Sequence, residues 1–314
     1  MKSDICFTFK ISSMKSGIPS HINSGHIFKT FIVYFTLFFA ITTACAQLPN
    51  TDIWLLDIDK SQDSIVLRNP VNITTRSGYD NQPVFSPDGK YLLYTSIRED
   101  NQADIYKFDL VSKQTSRLTF TPTSEYSPAF TPDGKSISVV MVEPDSVQRL
   151  WKFPIKGGKA NLVLNDIDSI GYYRWISKDS LALILITEPP TLEVVNVNSG
   201  KTVVVKSNVG RCMIERDGRL YYTQKQSDAG ILLTTYPRSV KEGEEKVQKL
   251  KSEDFTFLNS KEPALLNGLK SKIFTLFPNQ SVEKSIIDLS GIGIKNISRI
   301  AINREGNKLA IVAE

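Results

Sequence analysis

Both histidines of this 314-residue chain, His21 and His26, stand within its first 46 residues, and that placement limits the chemistry open to the rest. A Ser-His-Asp or Cys-His centre needs an imidazole beside its nucleophile, and protein sites for zinc, copper or manganese usually draw on the same ring. Beyond residue 46 those centres cannot be built. Cys212 is the one cysteine in that region, with Cys6 and Cys45 lying earlier, so no internal disulfide is expected there. What remains is oxygen chemistry: a carboxylate pair for acid-base work, or a calcium site. The chain has no Asp-x-Asp-x-Asp-Gly loop and no glycine-rich phosphate cradle. The expectation is therefore no metal, no cofactor and no catalytic residue.

The most regular acidic residues have a local explanation. Val84-Phe85-Ser86-Pro87-Asp88-Gly89-Lys90 recurs as Ala129-Phe130-Thr131-Pro132-Asp133-Gly134-Lys135. Weaker copies follow around Asp179, Asp217, Lys261 and Glu305, at intervals of 45, 46, 38, 44 and 44 residues. A short carboxylate before glycine caps its own turn, and glycine takes positive φ without steric cost, so each copy reads as a tight hairpin. Turn repeats at that period mark a stack of four-stranded units, about 40–50 residues each in propellers.

Around each turn the apolar runs supply four strands. In the first full copy strand b is Tyr91–Tyr94, strand c Asp104–Leu110 and strand d Ser116–Thr119; later copies place c at 150–155, 192–197, 231–236 and 272–277. Residues 52–58 match strand c with no a or b before them, while 299–302 and 308–312 match a and b with nothing after. The two half-blades complete one another, and closing the ring removes exposed sheet edges. The fold class expected is all-β: a six-bladed β-propeller, four antiparallel strands per blade, closed by a mixed blade from residues 52–75 and 296–314. Phe85–Lys90, Asp104-Ile105-Tyr106 and Leu118-Thr119 resemble the TolB-like β-propeller repeats, across roughly residues 50–314. The resemblance implies propeller architecture. It does not carry over a role in the Tol-Pal complex, because TolB has a separate α/β domain for which the segment before residue 50 leaves no room. Tyr106, Trp151 and Trp54 fall at matching places on strand c and are expected to pack between blades.

The first 46 residues read separately from the single propeller domain expected over 47–314. Phe31–Ile41 is an apolar run of 11 preceded by Lys29 and followed by Ala44-Cys45-Ala46, the pattern of a secretory signal peptide cut before Gln47. Its leading region is long, so Met14 is a candidate start. An uncleaved anchor is the rival reading, although a spanning helix wants ~20 apolar residues. Another is lipidation of Cys45, with Thr42 a poor fit three positions before it. Removing residues 1–46 takes four of 38 basic and one of 33 acidic residues, leaving 34 against 32 and a net charge of +2. A near-balanced surface argues against nucleic acid as partner. The expected location is the periplasm or cell envelope, as a monomer, with membrane association only if Cys45 is lipidated.

Function should lie where loops converge on the channel mouth. The segments from each strand d to the next strand a run through Ser77–Asn81, Thr123–Tyr126, Ser169–Arg174 and Asn208–Arg211. They offer Tyr79, Asp80, Glu125, Tyr126, Tyr172, Arg174 and Arg211 as partner-binding candidates, because Tyr and Arg cover large areas and still hydrogen-bond. Tyrosines that merely close the channel would read the same way. Two functions fit: a non-catalytic exported propeller binding an envelope protein or peptide over its channel mouth, or a propeller that binds or processes glycan through carboxylates. The charge run Lys241–Lys246 reads as a solvated loop.

Overall fold

Each blade begins from its turn. Ser86 Oγ donates to Asp88 Oδ1 at 2.7 Å and accepts from the backbone N–H of Lys90 and Tyr91, while Gly89 takes φ 66°. Thr131, Asp133 and Gly134 repeat this geometry, and Asn303, Glu305 and Gly306 rebuild it with an amide in place of the hydroxyl. The Ser86 hydroxyl holds the Asp88 carboxyl below its ordinary range, and Thr131 does the same for Asp133. The turn acids therefore serve the hairpins, as their spacing implied.

The computed structural model describes residues 48–60, 65–227, 230–236, 248–258, 264–277 and 284–314. The leader, the Lys241–Lys246 run and the fifth turn copy at 259–262 lie outside the described residues. Strands β1 (Asp52–Lys60) and β2 (Ile65–Asn72) come first. Blade one is β3 (Tyr79–Phe85), β4 (Tyr91–Ile97), β5 (Ala103–Asp109) and β6 (Thr115–Arg117). Blade two is β7 (Ser124–Phe130), β8 (Ser136–Val142), β9 (Gln148–Pro154) and β10 (Asn161–Leu162). Blade three is β11 (Ile170–Ser177), β12 (Ser180–Leu185), β13 (Thr191–Asn196) and β14 (Thr202–Ser207). Blade four is β15 (Val209–Arg216), β16 (Arg219–Gln226), β17 (Gly230–Tyr236) and β18 (Gln248–Leu250). Blade five is β19 (Phe255–Leu258), β20 (Ala264–Leu269), β21 (Lys272–Leu276) and β22 (Lys284–Asp288). The sixth sheet joins β1 and β2 to β23 (Ile297–Ile302) and β24 (Lys308–Ala313) in the order β2-β1-β24-β23. Every sheet is antiparallel, so the fold is an all-β six-bladed propeller closed by the expected mixed blade.

The core is divided into wedges between neighbouring blades. Strands alternate their side chains between faces, and in the closing blade Ile53, Leu55, Ala310 and Val312 pack against blade one while Leu56, Ile58, Leu309 and Ile311 pack against blade five. One strand thus feeds two interfaces, which is why β24 reads Leu-Ala-Ile-Val-Ala without polar alternation. Further wedges lie between blades one and two, two and three, three and four, and four and five. Tyr106, Trp151 and Trp54 each pack against a wedge, as expected of strand c aromatics.

The wedge between blades two and three is tied by one hydroxyl. Fully buried Ser138 on β8 accepts from Tyr173 Oη and from Trp175 Nε1, both at 2.9 Å, across the blade boundary. Burial pushes the Tyr173 hydroxyl well above the usual phenol range, so it acts as a donor. Replacing Ser138 with Ala leaves the buried Tyr173 hydroxyl and the partly buried Trp175 N–H without that acceptor, at a cost of about 1–3 kcal/mol. Thermal unfolding of the variant should shift down by roughly 2–12 °C; an unchanged melting temperature would remove this tie from the account.

Candidate functional site

The six inner strands β3, β7, β11, β15, β19 and β23, with the residues flanking them, surround a central cavity of about 670 Å³. Their regular pairing is interrupted where they face it. Gln82 (φ 57°) and Ser127 (φ 54°) occupy equivalent bulges in β3 and β7, each followed by a proline that cannot donate to the ladder. The Gln82 side chain stitches the two blades, its Oε1 accepting from Thr95 Oγ1 at 2.8 Å and from the N–H of Ser127 at 2.7 Å. In β15 the displacement is larger: Val209 pairs with Gln224 and Met213 with Tyr222, so Gly210, Arg211 and Cys212 together oppose only Thr223. Gly210 permits this, because a Cβ there would collide with the Thr223 side chain. The bulge brings Arg211 to the cavity wall.

Arg211 meets the carboxylate of Asp254, which precedes β19, through Nε at 2.9 Å and Nη2 at 2.7 Å; Nη2 also donates to the carbonyl of Ser298. Arg299 on β23 approaches the other oxygen of Asp254 at 3.7 Å and lies over the Tyr172 ring, 5.3 Å from its centroid. Asp254 is itself set by buried Asn267, whose Nδ2 donates to the Asp254 carbonyl at 2.6 Å and to Ser252. Arg174 on β11 donates through Nε to the Met213 carbonyl at 3.0 Å and makes no ion pair among the described residues. Further along the same wall stand Arg216, over the Phe257 ring, and Arg304. The cavity lining therefore holds five arginines against two carboxylates, Asp254 and Glu215, and Glu215 Oε1 accepts from the N–H of Gly218. Cys212 also borders the cavity; burial pushes its thiol up to about 12, and Sγ donates to the Phe255 carbonyl, so it is not a thiolate nucleophile.

The seven candidates read from the sequence separate into two groups. Tyr172, Arg174 and Arg211 line the cavity. Tyr79, Asp80, Glu125 and Tyr126 are not among its lining residues: Tyr79, Glu125 and Tyr126 lie where blades one and two meet, and Asp80 lies within blade one. Tyr79 packs with Ile97 and Ala103 against Tyr126. Asp80 is fully buried on Arg76, whose Nη2 also bonds Ser96 and the Ile97 carbonyl. The sequence places all seven in connections between blades; the structure places them within β3, β7, β11 and β15. Arg216, Arg299, Arg304 and Asp254 were not singled out. A signal for three of them exists: Arg216 and Arg304 fill the turn slot that Pro87 and Pro132 hold in the clearest copies. Arg299, like Arg211, stands six residues before the turn acid, where Gln82 and Ser127 stand.

No family model matches the chain, and no curated protein matches it in sequence. Solved structures do match in fold. A putative TolB from Agrobacterium tumefaciens superposes with a TM-score of 0.63 at 14% identity, covering 84% of this chain and 98% of that one. A chain of a nidogen/laminin complex gives 0.55 at 11% identity, covering 84% and 98%, and TolB from Acinetobacter baumannii gives 0.53 at 13%, covering 94% and 71%. At these identities the likeness is one of fold: the chain is a TolB-like six-bladed β-propeller.

Glu125 is the buried acid with the clearest titration. It is fully buried, and its carboxylate receives hydrogen bonds from the Thr119 and Thr121 hydroxyls. Burial outweighs those bonds and pushes its pKa up to about 7 from 4.5. Because the folded state holds this proton more tightly, its stabilising contribution is complete below about pH 4.5 and is lost as pH rises through about 7. Across that window Glu125→Gln should lose a pH dependence of up to about 1.4 kcal/mol per pH unit. Denaturant melts of both proteins from pH 4 to 8 measure it; parallel curves would mean that Glu125 titrates normally.

Proposed function

We propose that this propeller binds without turnover, holding an envelope protein or peptide partner at the mouth of its central channel after export. The observation that carries this reading is the cavity wall itself: Tyr172, Arg174, Arg211 and Arg299 converge from three inner strands, with Arg174 paired to no carboxylate among the described residues. Arginine and tyrosine at the centre of a concave surface are the residues that supply most binding energy in protein interfaces. Support for export comes from the apolar run before Ala44-Cys45-Ala46. The nidogen/laminin complex is one case of this fold in a protein assembly.

The glycan-processing reading needs two carboxylates poised across a bond, about 5–9 Å apart. Among the described lining residues the two carboxylates are engaged, Asp254 by two guanidinium groups and Glu215 by its own turn. Neither is presented as an acid beside a substrate. Catalysis through histidine is closed to everything after residue 26.

The test is capture from envelope extract with the purified chain as bait, followed by affinity measurement on the recovered partner. Tyr172→Ala and Arg174→Ala should each weaken binding by about 1–3 kcal/mol while the variants stay folded, and Lys135→Ala on an exposed turn should leave binding unaltered. If the purified chain instead cleaves envelope glycan or peptide, and Glu215→Gln abolishes that activity, the non-catalytic reading is wrong.

A further inference from the structure

Apart from the central channel, a second hollow of about 390 Å³ opens at the boundary of blades one and two, and the two cavities share no lining residue. The outer strands of these blades are short. β6 has three residues and β10 two, and β10 pairs only with Trp151 and Lys152, so the hairpin between β9 and β10 leaves the sheet at Phe153. Leu93 and Ile137, core residues of the wedge, form the floor of the hollow. Tyr91 and Phe120 stand on the blade-one bank, with Phe153 and Ile155 on the bank of blade two.

The blade-one bank is held in place. Phe120 is 77% exposed, yet it sits between Thr119 and Thr121, whose hydroxyls both donate to buried Glu125. Arg117 Nε donates to the Thr119 carbonyl, and its guanidinium lies 5.2 Å from the centroid of the Phe120 ring. The segment carrying this exposed ring is therefore fixed on both sides of it.

The charge of the hollow has one sign. Lys107 is the one charged residue of its lining, with Nζ 4.7 Å from the centroid of the Tyr91 ring, and it makes no ion pair among the described residues. Asp109, two residues on and close enough to feel that charge, accepts instead from the N–H groups of Val111 and Ser112. Exposed Lys156 and Lys159 flank Gly157 and Gly158 on the opposite bank and add charge of the same sign. Both threonine hydroxyls of the lining are engaged by Glu125, so a sugar would leave most of its own hydroxyls unpaired against carbon. The hollow has the volume of a small-ligand pocket. Phe120 and Ile155 are the only exposed large hydrophobics on its banks, too little apolar surface for a protein interface of ~800 Å² per partner.

We infer that this hollow is a second binding site, for a small amphipathic monocarboxylate whose aryl or alkyl body lies between Phe120 and Ile155 and whose carboxylate meets Lys107. It is independent of what the channel holds.

Calorimetric titration of the purified chain with phenylbutanoate and with octanoate, each beside its neutral amide, tests the site. Both acids should bind about tenfold more tightly than their amides at fixed salt. Lys107→Gln should bring each acid down to the level of its amide and leave the amide unchanged. Phe120→Ser should weaken acid and amide alike by about fivefold or more, while Arg174→Gln in the channel should change neither. The comparison of acid with amide needs no variant, so it stands whether or not every variant folds. Amides that bind as well as acids, acids weakened by Arg174→Gln but not by Lys107→Gln, or no saturable binding of either acid at millimolar concentration would each overturn the proposal. Partner capture that persists beside any of those results would leave the channel reading standing and remove this one.

Discussion

Six antiparallel residue pairs between β1 and β24, from Asp52 opposite Ala313 to Asp57 opposite Lys308, hold together two ends of a ring that has no central core. Each blade is stabilised by wedges on its two sides, so losing one seam exposes apolar side chains on two blades at once. Ile53, Leu309, Ala310, Ile311 and Val312 have no accessible surface. Their burial depends on β1 and β24 lying side by side. The Lys308 ammonium pairs with Asp57 and, with Asn69, holds that carboxyl below its ordinary range, but this pair is partly exposed and adds little beside the apolar seam.

A closed ring sets a geometric condition that the binding wall exploits. Inner strands must line an axis that water can reach, so their channel-facing residues need not be apolar, while the outward faces must still fill the wedges. Bulges at Gln82, Ser127 and Gly210–Cys212 reconcile the two by shifting side chains between faces. Positive φ at Gln82 and Ser127 costs conformational energy that the surrounding sheets supply. The same device turns Arg211 to the cavity while its neighbour Met213 stays in the wedge between blades three and four.

How much of this was legible follows from those residues. Turn chemistry fixed the hairpins, since Ser86-Pro87-Asp88-Gly89 can satisfy its own backbone and little else can follow it. Apolar runs such as Leu181–Ile184 and Lys308–Val312 revealed strands buried on both faces. The starts of the inner strands were harder. Tyr79-Asp80-Asn81-Gln82-Pro83 is polar and ends in proline, so it reads as a connection although it opens β3. A bulge also changes which face a residue occupies, so spacing could not separate Tyr172 and Arg174, on the cavity, from Asp80 and Glu125, which do not line it. Arg216 and Arg304 stand in turn slots that the sequence shows, but only the closed ring shows that those slots face one space.

The seam between β1 and β24 is the claim on which the rest depends, and native-state hydrogen exchange reads it directly. If closure makes the ring one cooperative unit, the paired amides of β1 and β24 should exchange only through global unfolding, as slowly as those of β4 and β12. Exchange of β1 and β24 well ahead of those strands, at a rate insensitive to global stability, would contradict the account.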